Sequence, residues 1–393
     1  MNYLERAQKL KTELISFRRY FHKNPEIEMN LPKTTEFVMS TLKEMGYEPK
    51  KICESTITAS VGKGNGKVIL LRADMDALPM KEDSGLDFAS TNGYCHACGH
   101  DLHTSMLLGA AKMLKENEEN IEGTVKLLFQ AGEEVFQGSK AAIKAGILEN
   151  PKVDAALGYH VGAGKMPVGI YMYNSENTMM FSNDGFKITV KGIGAHGAYP
   201  QYSIDSINIA AHIYIGLQEL IAREVDPTDT CVLTIGSFNA GTAPNIIPET
   251  AILQGTIRTA STKTREQLVK RMKEVSKLTA ETYRGTAEVE MISEVPPLIC
   301  NPEFTNEIVK YMQELPLEGL MGYPKIQASA SDDFAEILNR VPGAYMYLAA
   351  GFPNDEINYQ AHTPNVRFNE DVLPFGAAAL AHSATQWLKS HKD

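Results

Sequence analysis

The sequence has few cysteines for its length and no long hydrophobic run. Five cysteines are spread over 393 residues, at Cys53, Cys95, Cys98, Cys231 and Cys300. An odd number of cysteines in a large chain without a recognisable secretion signal favours free thiols or metal ligands over a disulfide framework. No apolar run approaches the roughly 18 residues needed to span a membrane. We therefore expect a cytoplasmic protein with no membrane partner.

Positive charge is also scarce. The 38 Lys and Arg residues are outnumbered by 48 Asp and Glu residues, which gives a formal net charge of −10. The basic residues are dispersed rather than gathered into a stripe, so the chain lacks the electrostatic footprint of a protein that binds a phosphate backbone. We expect no nucleic acid partner.

What the sequence does contain is the composition of an ordinary globular protein, with 43% hydrophobic and 22% charged residues. Its length exceeds what one hydrophobic core usually organises, so two domains are expected. Helical periodicity predicts helices over residues 3–21, 35–45 and 374–388. Short apolar runs between them predict strands over residues 55–61, 68–73, 123–130 and 153–160. Alternation of this kind favours an α/β sandwich.

The middle of the chain has a different rhythm. Its pattern predicts strand, helix, strand, strand, helix and strand, over residues 186–190, 206–223, 230–238, 251–257, 263–283 and 287–292. That β-α-β-β-α-β order is the ferredoxin-like arrangement, which is a complete small domain. We predict that residues 184–294 are inserted into a larger discontinuous domain made of residues 1–183 and 295–393.

The densest chemical cluster lies in residues 95–103, where nine residues hold five potential nitrogen or sulfur ligands and one carboxylate. Such density indicates a metal site. A structural zinc knuckle is the alternative, but it needs a second Cys or His pair, and none follows within the next fifty residues.

Two adjacent acids, Glu133 and Glu134, follow a predicted apolar strand. In a metal hydrolase one such carboxylate can bind the ion while its neighbour accepts a proton from water. A solvated acidic turn is the alternative. His160 ends a predicted strand and His362 lies in a turn-like segment, and either could be a ligand or a structural histidine.

Taken together, the motifs resemble the amidohydrolase branch of the co-catalytic di-zinc metallopeptidases, which includes hippurate hydrolase, N-acyl-amino-acid amidohydrolases and indole-acetyl-amino-acid hydrolases. The resemblance runs in order along almost the whole chain. Its motifs are RRYFHKNPE (18–26), RADMDALP (72–79), CHACGHDLH (95–103), QAGEE (130–134), GYH (158–160), GAHGAYP (194–200), APNIIPE (243–249), SDDF (331–334) and AHTP (361–364).

The resemblance implies a role for each matching residue. The implied metal ligands are Cys98, His100, Glu134, His160 and His362. Glu133 is the implied general base and His196 the residue that contacts the substrate carbonyl. Asn245 and Arg258 match polar positions suited to holding the substrate carboxylate. The resemblance also implies a zinc-peptidase α/β/α sandwich with an inserted ferredoxin-like lid that often mediates dimerisation.

Some features depart from the family pattern. The wider family starts its first motif with a ligand His, whereas we find Arg72 there, which leaves Asp74 and Asp76 as supporting acids. Cys95 stands where Met is more usual, and a packing role is the favoured interpretation for its thiol. In residues 203–207, Asp205 and Ser206 replace a more usual Asp-Pro pair.

The resulting hypothesis is a homodimeric enzyme that uses two divalent ions to cleave a small N-acyl amino acid. Zinc is the first choice, with manganese, cobalt or nickel as alternatives. A metallo-dipeptidase or an N-acetyldiaminopimelate-type deacetylase is the nearest rival, and an inactive metal-binding protein is a remote one. A serine hydrolase is disfavoured because the chain has no Gly-x-Ser-x-Gly motif.

Overall fold

The structure is a computed structural model that describes residues 1–392. The chain forms two compact units. The first contains Met1–Met179, Ile299–Gln327 and the chain from Asp332 onward, and the second contains Met180–Leu298 and Ala328–Ser331. The second unit includes the whole of the predicted insertion, residues 184–294.

The helices are α1 (Tyr3–Lys9), α2 (Lys11–Lys23), α3 (Pro32–Glu44), α4 (His100–Glu116), α5 (Gly138–Lys144), α6 (Ser206–Glu219), α7 (Thr262–Thr282), α8 (Pro302–Gln313), α9 (Ala335–Leu338) and α10 (Val372–Ser390). The strands are β1 (Lys50–Cys53), β2 (Thr56–Gly62), β3 (Val68–Asp74), β4 (Thr124–Gln130), β5 (Ala155–Gly162), β6 (Ile170–Met172), β7 (Thr178–Met180), β8 (Asn183–Lys191), β9 (Ala195–His196), β10 (Cys231–Ala240), β11 (Ile246–Ile247), β12 (Thr250–Thr259), β13 (Thr286–Val295), β14 (Leu298–Ile299), β15 (Met321–Tyr323) and β16 (Gly343–Ala349).

The first unit is built on an eight-stranded mixed sheet in the order β1-β2-β4-β3-β5-β16-β6-β15. Its central strands β4, β3, β5 and β16 run parallel to one another. Strands β3 and β4 are buried along their whole length, as expected of parallel strands covered on both faces. Helices α4 and α10 are also almost entirely buried. The predicted α/β architecture is confirmed.

The second unit is built on a four-stranded antiparallel sheet in the order β10-β12-β8-β13. Helices α6 and α7 pack against it around Phe186, Ile213, Leu253 and Met272. The order of elements is the predicted β-α-β-β-α-β, so the ferredoxin-like arrangement is confirmed. The lid and dimerisation roles of this unit stay predictions.

The prediction of one continuous helix over residues 3–21 is wrong in one respect, because the segment is helical but broken. The segment forms two helices, because the chain turns at Leu10, whose φ and ψ of −89° and −3° interrupt the helical path. Periodicity did not reveal the break, since Leu4, Leu10 and Leu14 are all buried in the same core.

The remaining global properties are simple to state. Among the described residues, no helix is both long enough and apolar enough to cross a bilayer. The five cysteines are free thiols, as expected from their number.

Candidate metal centre

The five residues predicted as ligands lie in the first unit, at the ends of elements that meet beside the central sheet. His160 is near the carboxyl end of β5, and Glu134 follows the carboxyl end of β4. His100 is the first residue of α4, with Cys98 just before it. His362 lies in the loop after β16. Carboxyl ends of parallel strands meet at one edge of a sheet, which is the usual place for a functional site in α/β proteins.

The ligand atoms form two groups that share one sulfur. Cys98, His100 and His160 make one group, and Cys98, Glu134 and His362 make the other. Within each group the candidate ligand atoms all lie within 4.8 Å of one another. Each group offers three protein ligands, which is the number that catalytic zinc sites usually take from the protein.

The distances within the groups suit a cation. Cys98 Sγ lies 3.3 Å from His160 Nε2, and Glu134 Oε1 lies 3.4 Å from His362 Nε2. Tetrahedral zinc with bonds of about 2.0–2.3 Å places its ligands roughly 3.3–3.8 Å apart. His362 has a φ of 63°, in the left-handed region that is uncommon for residues other than glycine.

The two buried imidazoles are held with a lone pair directed into the site. His100 Nδ1–H donates to the Asp76 carbonyl at 2.8 Å, and His160 Nδ1–H donates to the Val161 carbonyl at 2.7 Å. In the neutral form of each ring, Nε2 is then the nitrogen that carries the lone pair, which is the arrangement typical of metal-ligating histidines. His100 Nε2 is buried and has no hydrogen-bond partner among the described residues. A bound cation would satisfy it, so the donor set fits a metal.

The acid pair is held through its backbone. The two carboxylate oxygens of Asp76 accept the N–H groups of Glu133 and Glu134, each at 3.0 Å. Burial, followed by the negative charge of Asp332 and that of Glu134, raises the pKa of Glu133 well above its ordinary value. A carboxylate with a raised pKa is suited to taking up a proton near neutral pH.

Three further buried carboxylates, those of Asp74, Asp332 and Asp333, adjoin the centre, and all three accept hydrogen bonds. The buried Arg72 guanidinium donates to Asp74 at 2.6 Å and to Asp332 at 3.0 and 3.1 Å. Asp332 also accepts the Tyr345 hydroxyl. Asp333 accepts Ser139 N–H at 2.8 Å. These groups support the centre, and Asp74 and Asp76 have the hydrogen-bonding positions of the supporting acids predicted from the sequence.

Sequence reasoning assigned no role to Asp332 or Tyr345, although the SDDF motif was noted. The available signal was that motif together with the alternation of Tyr345 and Tyr347, which places both tyrosines on one face of a strand. Cys95 lies in the hydrophobic core, and burial raises the pKa of its thiol to about 12. Its position agrees with a packing role.

The three remaining predicted residues lie in the second unit. His196 in β9 pairs with Ile246 in β11, and the Gly197 N–H donates to the Asn245 carbonyl at 2.8 Å. The structure therefore brings His196 and Asn245 together on a two-stranded ribbon, and His196 is exposed. Arg258 in β12 donates to Ser331 Oγ at 2.9 Å. A hydrogen bond to this serine was not anticipated.

The first unit has parallel central strands and two candidate ligand groups that share one cysteine beside a buried acid, and these are the features of a metal-dependent hydrolase. The model of peptidase family M20/M25/M40 matches residues 70–386. The chain is 37% identical over 383 residues to the IAA-amino acid hydrolase ILR1-like 4 of Arabidopsis thaliana, covering 95% of this chain and 86% of that protein. It is 34% identical over 388 residues to the N-acetyl-L-cysteine deacetylase of Bacillus subtilis, covering 98% and 90%.

A similar solved structure is that of the Bacillus subtilis YXEP protein, a dinuclear metal-binding peptidase from the M20 family. The TM-score is 0.81 at 30% sequence identity, and the match covers 97% of this chain and 99% of the other. The chain belongs to peptidase family M20/M25/M40. The predicted resemblance to its amidohydrolase branch is confirmed, and the centre suits two divalent ions.

Proposed function

We propose that the chain hydrolyses the amide bond of a small N-acyl amino acid and releases a carboxylate and the free amino acid. The observation that carries this proposal is the pair of ligand groups sharing Cys98, with Glu133 beside them. Two relatives that match almost the whole chain bear the names of enzymes acting on N-acylated amino acids.

We further propose that Cys98, His100, Glu134, His160 and His362 hold two divalent ions. When bound, such ions polarise a carbonyl and lower the pKa of water. Zinc is the first choice, because a cysteine sulfur among the ligands favours a softer cation. Manganese, cobalt and nickel suit the His and Glu ligands and remain alternatives.

In this proposal Glu133 is the general base. Its carboxylate removes a proton from the attacking water and then gives that proton to the departing amine. The raised pKa of Glu133 makes the ionised carboxylate a stronger base, which suits it to hold the proton until the amine departs. Asp76 keeps the acid pair in register by its two hydrogen bonds to the backbone.

The family resemblance supports a role for three residues of the second unit. We propose that His196 donates to the substrate carbonyl, where charge develops during attack. Asn245 and Arg258 would bind the substrate carboxylate. Arg258 also donates to Ser331, and that hydrogen bond holds its guanidinium in one position.

A homodimer is proposed as well, formed through the second unit. Strand β10 is an edge strand of its sheet, and Val232 and Phe238 on that strand are exposed. On α6, Ile215 is 62% exposed. An edge strand with exposed apolar side chains is suited to pairing with a second copy. Sedimentation velocity tests this proposal, and a protein that sediments as a monomer at micromolar concentration would contradict it.

The cytoplasmic location stays a prediction.

The first experiment measures amine release from N-acetyl, N-benzoyl and indole-acetyl amino acids, alongside unmodified dipeptides. The protein is assayed before and after chelation, and again after zinc or manganese is restored. Chelator-sensitive cleavage of one acyl class is expected. Cleavage of dipeptides alone would contradict the proposal and favour a metallo-dipeptidase.

A variant tests the general base separately. Glu133→Gln is expected to lose at least about 100-fold in kcat, the lower end of what general bases contribute, while still binding two ions. Glu54→Gln, on an exposed turn, is the matched control. Near-normal turnover by Glu133→Gln would refute the role of Glu133.

A further inference from the structure

His103 lies beside the proposed ligands with both ring nitrogens engaged. It is buried on α4, and its ring centroid is 4.6 Å from that of His160. Its Nδ1–H donates to Asp74 Oδ1 at 2.6 Å. Its Nε2 accepts the N–H of Val161 at 2.8 Å. This second bond requires a ring with Nε2 unprotonated, because an N–H cannot donate to another N–H.

The hydrogen bond to Val161 lies where the sheet loses a strand. On one side of β5, the ladder with β3 ends at the pair Arg72–Gly158. On the other side, the ladder with β16 continues to Gly162. The end of β5 that carries His160 therefore has a strand on one side only. The His103 ring supplies an acceptor for the backbone there.

The His103 ring that accepts this hydrogen bond is itself held in place through Asp74. Asp74, which accepts the hydrogen bond from His103, also accepts one from the buried Arg72 guanidinium at 2.6 Å. Thr104 Oγ1 donates to the Asp74 carbonyl at 2.9 Å. An uninterrupted line of hydrogen bonds thus runs from Arg72 through Asp74 and His103 to the peptide that joins His160 to Val161.

We propose that His103 is a positioning residue that sets the place and orientation of His160 by accepting the Val161 N–H. The inference rests on the proposed function, since it assumes that His160 holds an ion. Atoms of Asp74, His100 and His103 also lie within 4.8 Å of one another, which would suit a ligand group. The two hydrogen bonds of His103 instead occupy both of its nitrogens, so it acts through the backbone of β5.

Three substitutions separate the two hydrogen bonds. The amide of His103→Asn reaches the position of Nδ1 and can donate to Asp74, but it is too short to accept from Val161. The longer amide of His103→Gln reaches the position of Nε2 and can accept from Val161. His103→Phe keeps the ring shape and loses both bonds. His382→Gln is the control, because that histidine pairs with Glu314 at 2.9 Å elsewhere on the first unit.

The measurements are zinc stoichiometry and affinity, by chelator competition, and the absorption spectrum of the cobalt-loaded protein. Supporting residues around metal ligands typically contribute 10- to 100-fold to affinity. We expect His103→Asn and His103→Phe to weaken the affinity of one ion by that factor and to change the cobalt spectrum. We expect His103→Gln to stay within about threefold of wild type. All variants should still bind two ions.

Three other outcomes would overturn the inference. Wild-type affinity and an unchanged cobalt spectrum in both His103→Asn and His103→Phe would overturn the inference alone. A fall to one ion in all three variants would show that His103 is a ligand, which also overturns it. Failure of the wild-type protein to bind any of the ions would overturn the proposed function together with this inference. If His103→Phe does not fold, the contrast between the Asn and Gln variants still decides.

Discussion

Buried Asp76 connects the acid pair to His100, one of the proposed ligands. Its two oxygens accept the N–H groups of Glu133 and Glu134 at 3.0 Å, and its backbone carbonyl accepts His100 Nδ1–H. The change Asp76→Asn preserves the shape of the side chain and the carbonyl. An amide, however, has one oxygen and one NH₂ group, so one of the two N–H groups would face another donor.

The cost follows from the hydrogen bonds that are lost. A hydrogen bond to a charged acceptor contributes about 1.5–3 kcal/mol, and a buried N–H left without a partner costs a similar amount. We expect Asp76→Asn to lower the free energy of unfolding by about 3 kcal/mol. At roughly 2–4 °C per kcal/mol for a large domain, the melting temperature should fall by about 6–12 °C. Metal affinity should fall about 10- to 100-fold, because the backbone of Glu134 is no longer fixed.

The assay combines thermal unfolding of the metal-free protein with chelator competition. Trp387, the single tryptophan, is buried in the first unit and reports on its unfolding. Asp205→Asn is a matched control. The Asp205 carboxylate also accepts two backbone N–H groups, those of Ile207 and Asn208, but on one oxygen at an exposed helix N-terminus. Asn caps helices about as well as Asp, so this change should have almost no effect.

The reasoning is refuted if Asp76→Asn melts and binds metal like the wild-type protein. It is also refuted if Asp205→Asn lowers the melting temperature by as much. A loss of stability without a loss of metal affinity would show that Asp76 supports the fold and does not position the ligand.

Three further predictions concern the surroundings of the centre. Gly99 has φ of 94°, and a Cβ there would lie 2.4 Å from Val161 Cγ2, whereas Gly93 has φ of 90° and open space. Gly93→Ala should cost about 1 kcal/mol of stability from backbone strain, and Gly99→Ala clearly more, with weakened metal binding in a chelator titration. Arg72→Met leaves buried carboxylates without their counter-charge and should cost about 3–5 kcal/mol in urea unfolding; a smaller cost than that of Gly93→Ala would contradict this. The third prediction concerns Glu82. Burial raises the pKa of its carboxyl, but the hydrogen bond and charge of His22 outweigh burial and lower that pKa to about 2, against about 4.3 in an unfolded chain. The stabilisation that ionised Glu82 contributes is therefore present above pH ~4.3 and lost as the pH falls toward 2, so unfolding of Glu82→Gln should depend less steeply on pH between about 5 and 3.

Much of the fold could be predicted because local pattern dictates it. The alternation of Val125, Leu127 and Phe129 predicted β4, and those residues are fully buried in the sheet. Element ends shifted by a few residues, since the pattern of side chains does not fix where the last backbone hydrogen bond forms. The break at Leu10 was missed, because a turn that keeps its apolar side chains on the same face leaves the periodicity intact.

The candidate site divides in a similar way. The family resemblance carried by the motifs identified five candidate ligands, Cys98, His100, Glu134, His160 and His362. The structure brings them into two groups that share the Cys98 sulfur. Their roles as ligands stay proposals. The sharing of Cys98 could not be predicted, because it depends on where the loop before α4 meets the ends of β4 and β5. Asp332 was overlooked for the same reason, since it meets Arg72 across 260 positions of sequence.

The sequence by itself determined the chemical inventory, the two kinds of domain and the family, because residue types, spacing and periodicity are properties of neighbours along the chain. Tertiary structure alone decided which of these groups are engaged with one another. In the nine-residue cluster, the spacing of the five nitrogen or sulfur groups does not rank them, and only the family resemblance singled out Cys98 and His100. Folding encloses Cys95 in the core, gives both nitrogens of His103 a partner, and leaves His100 Nε2, like both nitrogens of His96, buried without one. Most buried polar atoms have a hydrogen-bond partner, and only the folded chain shows which atoms of the cluster have one and which do not.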